Sequence, residues 1–184
     1  MENEMKNTKV VVFARFSYVK LNKPEAFNGS EPKFSISLII PKSDKDSVAK
    51  IKKAIENATS YGISDKWGGK KPANLKVPLR DGDTERADRP EYKDAYFLNA
   101  SCKTKPGVVD RNKQEITDPE EVYSGCYGYA SINFYAYKSN GSTGVACGLN
   151  NIMKVREGEP LGGRVSAEED FADVSVTADD EDAF

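Results

Sequence analysis

Residues 8–19, TKVVVFARFSYV, alternate with the period of a strand. Val10, Val12, Ala14, Phe16 and Tyr18 fall on one face, and Val11, Phe13, Arg15, Ser17 and Val19 on the other. Segment 21–32 carries two prolines and an Asn-Gly pair, which predicts a loop. A second clean alternation follows in KFSISLII, 33–40, with Phe34, Ile36, Leu38 and Ile40 turned inward and Pro41 ending the strand. The period then changes. Val48, Ile51, Ile55 and Ala58 are spaced i, i+3, i+7 and i+10, one apolar stripe of a helix. Ser43 reads as its N-cap, with Asp46 three residues on, and Gly62 as its end. Such a stripe needs a surface to cover, most simply one end or face of a barrel.

Residues 62–94 show no period and read as a long loop with a short strand at 75–79. Strand patterns return at 95–103 and at 126–138, the latter followed by an Asn140-Gly141 turn and a partner strand over 144–155; Val108 and Val109 predict a brief pairing after the Pro106-Gly107 turn. Beyond Glu157 the chain is acidic and poor in aliphatic residues, a composition that does not offset its ordering entropy. The expected architecture is mainly β: an OB-fold-like, partly open Greek-key barrel over 1–165, with one amphipathic α-helix and a disordered acidic C-terminal tail over 166–184.

Charge changes the picture more than composition does. Of the 29 acids in these 184 residues, eight lie in 167–184, which has no Lys or Arg; 21 acids against 27 bases remain, so the body carries about +6 and the tail −8. The three cysteines form no CxxC pair and the chain has no histidine, which leaves a zinc site without its usual ligands and excludes serine–histidine and cysteine–histidine nucleophiles. No cofactor is expected. No apolar run has the length of a membrane span. The polar start leads directly into a strand, so no signal peptide is expected and the location follows as cytoplasmic.

Four groups carry candidate chemistry. The run Asp179, Asp180, Glu181, Asp182, Ala183, Phe184 joins acids that steer toward a basic surface to an aromatic side chain that fits an apolar pocket. Tyr127, Tyr129, Tyr135 and Tyr137 share one face of a strand, either as stacking platforms for bases or packed beneath a loop. Trp67 stands among Lys66, Lys70 and Lys71 with two glycines, either as a clamp on a phosphate backbone or as an anchor for its loop; further bases lie at Arg15, Lys103, Lys105 and Arg111. Finally, Asp81, Asp83, Glu85, Asp88, Glu91 and Asp94 form an acidic cluster, either a solvated loop or a Mg²⁺ site.

A basic, strand-rich body with an acidic tail and terminal Phe184 resembles the single-stranded DNA-binding proteins of bacteriophages. KWGGKKPANLKVPLRDGD, 66–83, and YFLNASCKTKPGVVD, 96–110, carry the resemblance in the body. It implies an OB-fold core, coating of single strands in phage replication, recombination or repair, an infected bacterial host, and tail contacts to polymerase, helicase or exonuclease. One departure is visible: the helix follows the second strand, whereas the usual OB-fold helix lies between the third and fourth. The leading expectation is a non-enzymatic, sequence-tolerant single-strand binder whose tail competes with DNA, and in which Trp67→Ala costs binding but little stability. A metal-dependent nuclease using 81–94 and a protein-only adaptor are the alternatives.

Overall fold

The computed structural model describes residues 7–26, 29–139, 141–161 and 170–178. Strand β1 (Lys9–Glu25) pairs antiparallel with both β2 (Lys33–Pro41) and β6 (Tyr127–Ser139). β2 pairs with β4 (Ala95–Cys102), and β6 with β7 (Ser142–Arg156). A single parallel bridge, Ser101 to Gly148, joins β4 to β7 and closes five strands into a ring. Two short strands extend it: β3 (Arg80–Asp81) beside β4 and β5 (Gly107–Val109) beside β7.

The alternations fill the barrel as their period requires. Val10, Val12, Ala14 and Phe16 of β1, Ile36, Leu38 and Ile40 of β2, and Ala130, Ile132 and Phe134 of β6 are all buried in one core. Helix α1 (Lys45–Asp65) presents Val48, Ile51, Ala54, Ile55 and Ala58 to that core and packs mainly on β6. It lies between the second and third strands of the ring. The long first strand therefore counts once, and the helix is displaced from its usual OB position.

Several local expectations are corrected. β1 continues to Glu25, through the first five residues of the segment expected to be a loop, because Lys20 and Glu25 still pair across to Ser35 and Lys33. The helix N-cap is Asp44, not Ser43; its carboxylate accepts from the Ser47 amide at 3.2 Å. Gly62 does not end α1 but lies inside it, where an added Cβ would sit 2.6 Å from the Ala136 Cβ and 2.7 Å from the Trp67 ring. The supposed loop at 62–94 contains β3, a short helix α2 (Gly82–Glu85) and a 3₁₀ turn (Pro90–Tyr92). This segment crosses the outer side of β2 and β4, where Tyr92 builds a second small core with Ile39, Ala95, Phe97 and Leu161.

The hairpin predicted at Asn140-Gly141 is present, with Ser139 opposite Ser142 and Gly141 at φ +80°. Residues 157–161 belong to the body. Lys154, 5 % exposed, reaches Glu157 at 2.5 Å and Glu121 at 2.9 Å. The Tyr123 hydroxyl donates to Glu157, and the Leu161 amide donates to the Ser124 carbonyl. Within the tail, Asp170–Ala178 are exposed throughout; Asp179, Asp180, Glu181, Asp182 and Phe184 lie outside the described residues.

Candidate nucleic-acid interface

The outer face of β1 and β6 is set by their register. Val11 stands opposite Ser131, Phe13 opposite Tyr129 and Arg15 opposite Tyr127. Inward positions of both strands are occupied by core residues, so these side chains necessarily face away from it. The result is a stripe of rings and cations in which Phe13, Arg15 and Tyr127 are half-buried and Tyr129 and Arg156 are exposed. Tyr129 is 43 % exposed and meets Phe13 edge-on at 5.2 Å between centroids. Phe13 also stacks toward Tyr127 at 6.3 Å. From β7, the Arg156 guanidinium lies 3.7 Å from the Tyr127 centroid, and Arg15 lies 5.3 Å from the same ring.

Arg15 is held in place by backbone: Nε donates to the Gly125 carbonyl at 3.1 Å and Nη2 to the Glu159 carbonyl at 2.8 Å. The docked 157–161 segment thus fixes one edge of the stripe. Neutral carbonyl partners orient the guanidinium without cancelling its charge. Tyr135, also 43 % exposed, lies farther along β6 with Lys103 near enough to act on its phenol; burial is the larger influence and holds that group above its ordinary value. Lys103 itself pairs with Glu31 at 2.8 Å. Lys105 lines a cleft with Leu21, Pro106 and Ile116, and Arg111 is exposed just past β5, the strand beside β7.

The Trp67 group behaves differently from a clamp. Trp67 is 8 % exposed, its ring packs against Gly62, and Nε1 donates to the Tyr137 carbonyl at 3.1 Å. It anchors the end of α1 to β6, so its ring is not offered to bases. Lys66, Lys70 and Lys71 around it are exposed. They stand near the Tyr137 end of β6, up to roughly 33 Å along the strand from Tyr127, and do not join the stripe.

The acidic cluster is largely spoken for. Asp81 and Asp83 both hold Lys42, at 2.8 and 2.7 Å, and this lysine draws both carboxyls below their ordinary values. Glu85 pairs with Arg80, and Glu91 with Arg89. Among the described residues no three acids or cysteines converge as metal ligands would.

Two members of the stripe escaped sequence reasoning. Phe13 shared a face with Arg15 in the β1 alternation, and that was its signal. Arg156 lies one residue beyond the expected end of its strand, and its place over Tyr127 depends on the register shift between Tyr127 and Gly128.

A small closed barrel bearing rings and guanidinium groups on one outer face belongs to the OB-like class of nucleic-acid-binding modules. The chain belongs to the phage family described as the Enterobacter phage Enc34 ssDNA-binding protein, whose profile matches residues 8–184. Protein p50 of Acyrthosiphon pisum secondary endosymbiont phage 1 is 33 % identical over 179 residues, covering 91 % of this chain and 94 % of that protein. The structure of the bacteriophage Enc34 single-stranded DNA-binding protein in complex with ssDNA superposes with a TM-score of 0.74 at 30 % identity, over 85 % of this chain and 91 % of that one. Gp2.5, a single-stranded DNA-binding protein encoded by bacteriophage T7, shares the fold at a TM-score of 0.60 and 18 % identity, over 92 % of this chain and 97 % of that one.

Proposed function

We propose that this protein binds single-stranded DNA without sequence preference and without catalysis, laying the strand across the outer face of β1, β6 and β7. The observation that carries this reading is the cluster of Arg156 and Arg15 against the Tyr127 ring, continued by Phe13 and exposed Tyr129. Rings stack on any base, and guanidinium groups meet phosphates whatever the sequence. A family relative solved in complex with ssDNA supports the same ligand. Lys103, Lys105, Arg111 and Tyr135 lie outside the stripe and serve as flanking contacts. Lys66, Lys70 and Lys71 are left as a separate basic patch.

The acidic tail, including Asp179–Asp182 and Phe184, competes with DNA for this face and, when displaced, engages replication or recombination proteins such as a polymerase, helicase or exonuclease. The working setting is phage DNA replication, recombination or repair in the cytoplasm of an infected bacterium.

The test is fluorescence anisotropy of a labelled oligo(dT) with wild type, Phe13→Ala and Tyr129→Ala. Each lost base stack is worth about 1–3 kcal/mol, so affinity should fall about 5- to 150-fold per substitution at unchanged melting temperature. Wild-type affinity in both variants would place DNA on another face.

A further inference from the structure

The geometry points to a second nucleotide-binding site, built by Tyr18, Arg86 and Arg89, that continues the path of a bound single strand past Arg15. This rests on the reading of the β1–β6–β7 face as the DNA-binding face.

β1 carries a bulge. The register moves from Ser17 opposite Ser37 to Lys20 opposite Ser35, one extra residue on the β1 side. Phe16 and Ser17 are consecutively buried, and Tyr18 is thrown outward at φ +46°, a left-handed conformation that a bulky residue adopts at a cost. Its ring is 42 % exposed.

Two arginines from the segment 82–94 converge on it. The Arg86 and Arg89 guanidinium carbons lie 5.2 and 5.3 Å from the Tyr18 centroid, and both groups donate to its hydroxyl, Arg86 at 3.0 Å. Their placement is built from below: Arg86 also spans Tyr92 at 5.5 Å and Phe97 at 5.1 Å, and the Tyr92 hydroxyl donates to Ser17 at 3.1 Å. Bulge, buried tyrosine and arginines therefore form one unit.

The charges nearby leave room for an anion. Lys42 takes Asp81 and Asp83, Arg80 takes Glu85, and Glu91 takes part of Arg89. Among the described residues Arg86 has no carboxylate at ion-pair distance; Asp83, Asp88 and Lys93 line the same hollow beside it, and Asp83 is held by Lys42. The site is continuous with the stripe, because Arg15 and Arg89 line one open depression with Pro90, Pro160 and Leu161; two acids share that lining, Glu91, which pairs with Arg89, and Glu159. A segment that reads as acidic in sequence thus delivers two cations to the Tyr18 ring of β1 at the edge of the face. That combination takes one nucleotide, its phosphate on the guanidinium pair and its base against Tyr18.

The experiment is the salt dependence of oligo(dT)30 binding by wild type, Arg86→Gln/Arg89→Gln and Arg86→Lys/Arg89→Lys. Photocrosslinking of 4-thiothymidine-labelled oligonucleotide to the wild-type chain accompanies it. The one lost phosphate contact should reduce the steepness of log K against log salt by about 0.7 in the Gln variant, at about 0.7 per phosphate on single strands. The Lys variant, which keeps the charge, should retain most of the slope. Crosslinks should map to Tyr18 or 86–92 as well as to Tyr127 or Tyr129. An unchanged slope in a folded Gln variant, or crosslinks confined to the stripe, would overturn the second site and leave the first intact. Absence of any wild-type binding would overturn both. Should the Gln variant not fold, the wild-type crosslinks decide.

Discussion

Trp67 and Tyr129 show how aromatic side chains divide between the core and an open face. Both are aromatic and both stand near lysines or arginines in sequence or space. Trp67 is enclosed by Gly62 and Ala136 with its indole N–H committed to Tyr137, whereas Tyr129 leaves almost half its surface open. Removing the first creates a cavity; removing the second removes a platform. Trp67→Ala should therefore cost roughly 3–5 kcal/mol of stability, read as a lowered denaturation midpoint, while the folded fraction keeps its oligonucleotide affinity. A stable variant with lost binding would return Trp67 to the surface role that its lysine neighbours suggest. Sequence alone left that choice open, because clamp and anchor call for the same residues. The deciding fact, a glycine on α1 shaped to receive the ring, is visible only once helix and loop are packed.

At the scale of elements, the strands with clean alternation and the helix with an unbroken stripe were legible, because each buries one face and the period records it. The hairpin was legible from its turn residues. What escaped were features set by contacts far along the chain. The extension of β1 to Glu25 depends on Lys33 across the hairpin, and the folding of 80–94 depends on Lys42 and on the outer side of β2 and β4. The proposed binding stripe was half legible: Tyr127, Tyr129 and Arg15 were identifiable, but their conjunction with Phe13 and Arg156 required register. The docking of 157–161 is another such feature, and it titrates. The Lys154 ammonium, followed by the Tyr123 hydroxyl, holds the Glu157 carboxyl below its ordinary value. Burial works to lower Lys154, and the carboxylates of Glu157 and Glu121 more than reverse it. A depressed carboxyl stabilises the fold above its unfolded value of 4.5 and loses that contribution as pH falls through the lower folded value. Melting temperature should hold level from pH 7 to 5 and fall below about 4.5. Glu157→Gln should remove part of that fall; an identical acid limb in the variant would detach the clasp from stability.

For the whole molecule, the partition of charge is the governing quantity. A body near +6 joined to a segment of −8 gives the tail the same sign of charge as nucleic acid, which is the basis of the proposed competition for the body. Deleting residues 167–184 should raise affinity for oligo(dT) several-fold at low salt, with the gain shrinking as salt screens the tail; unchanged or weakened affinity would remove the tail from the mechanism. With no histidine, no side chain of ordinary titration changes charge between pH 6 and 8. Finally, the ring of strands is fastened between β4 and β7 by one rung, Ser101 to Gly148, whereas its other joints are laddered over many residues. A hoop riveted at one point parts there first. Amide deuteration should consequently begin along the rims of that joint while the β6–β7 ladder still resists, and swelling there would let the cylinder flatten against a ligand without unravelling its longest hairpin.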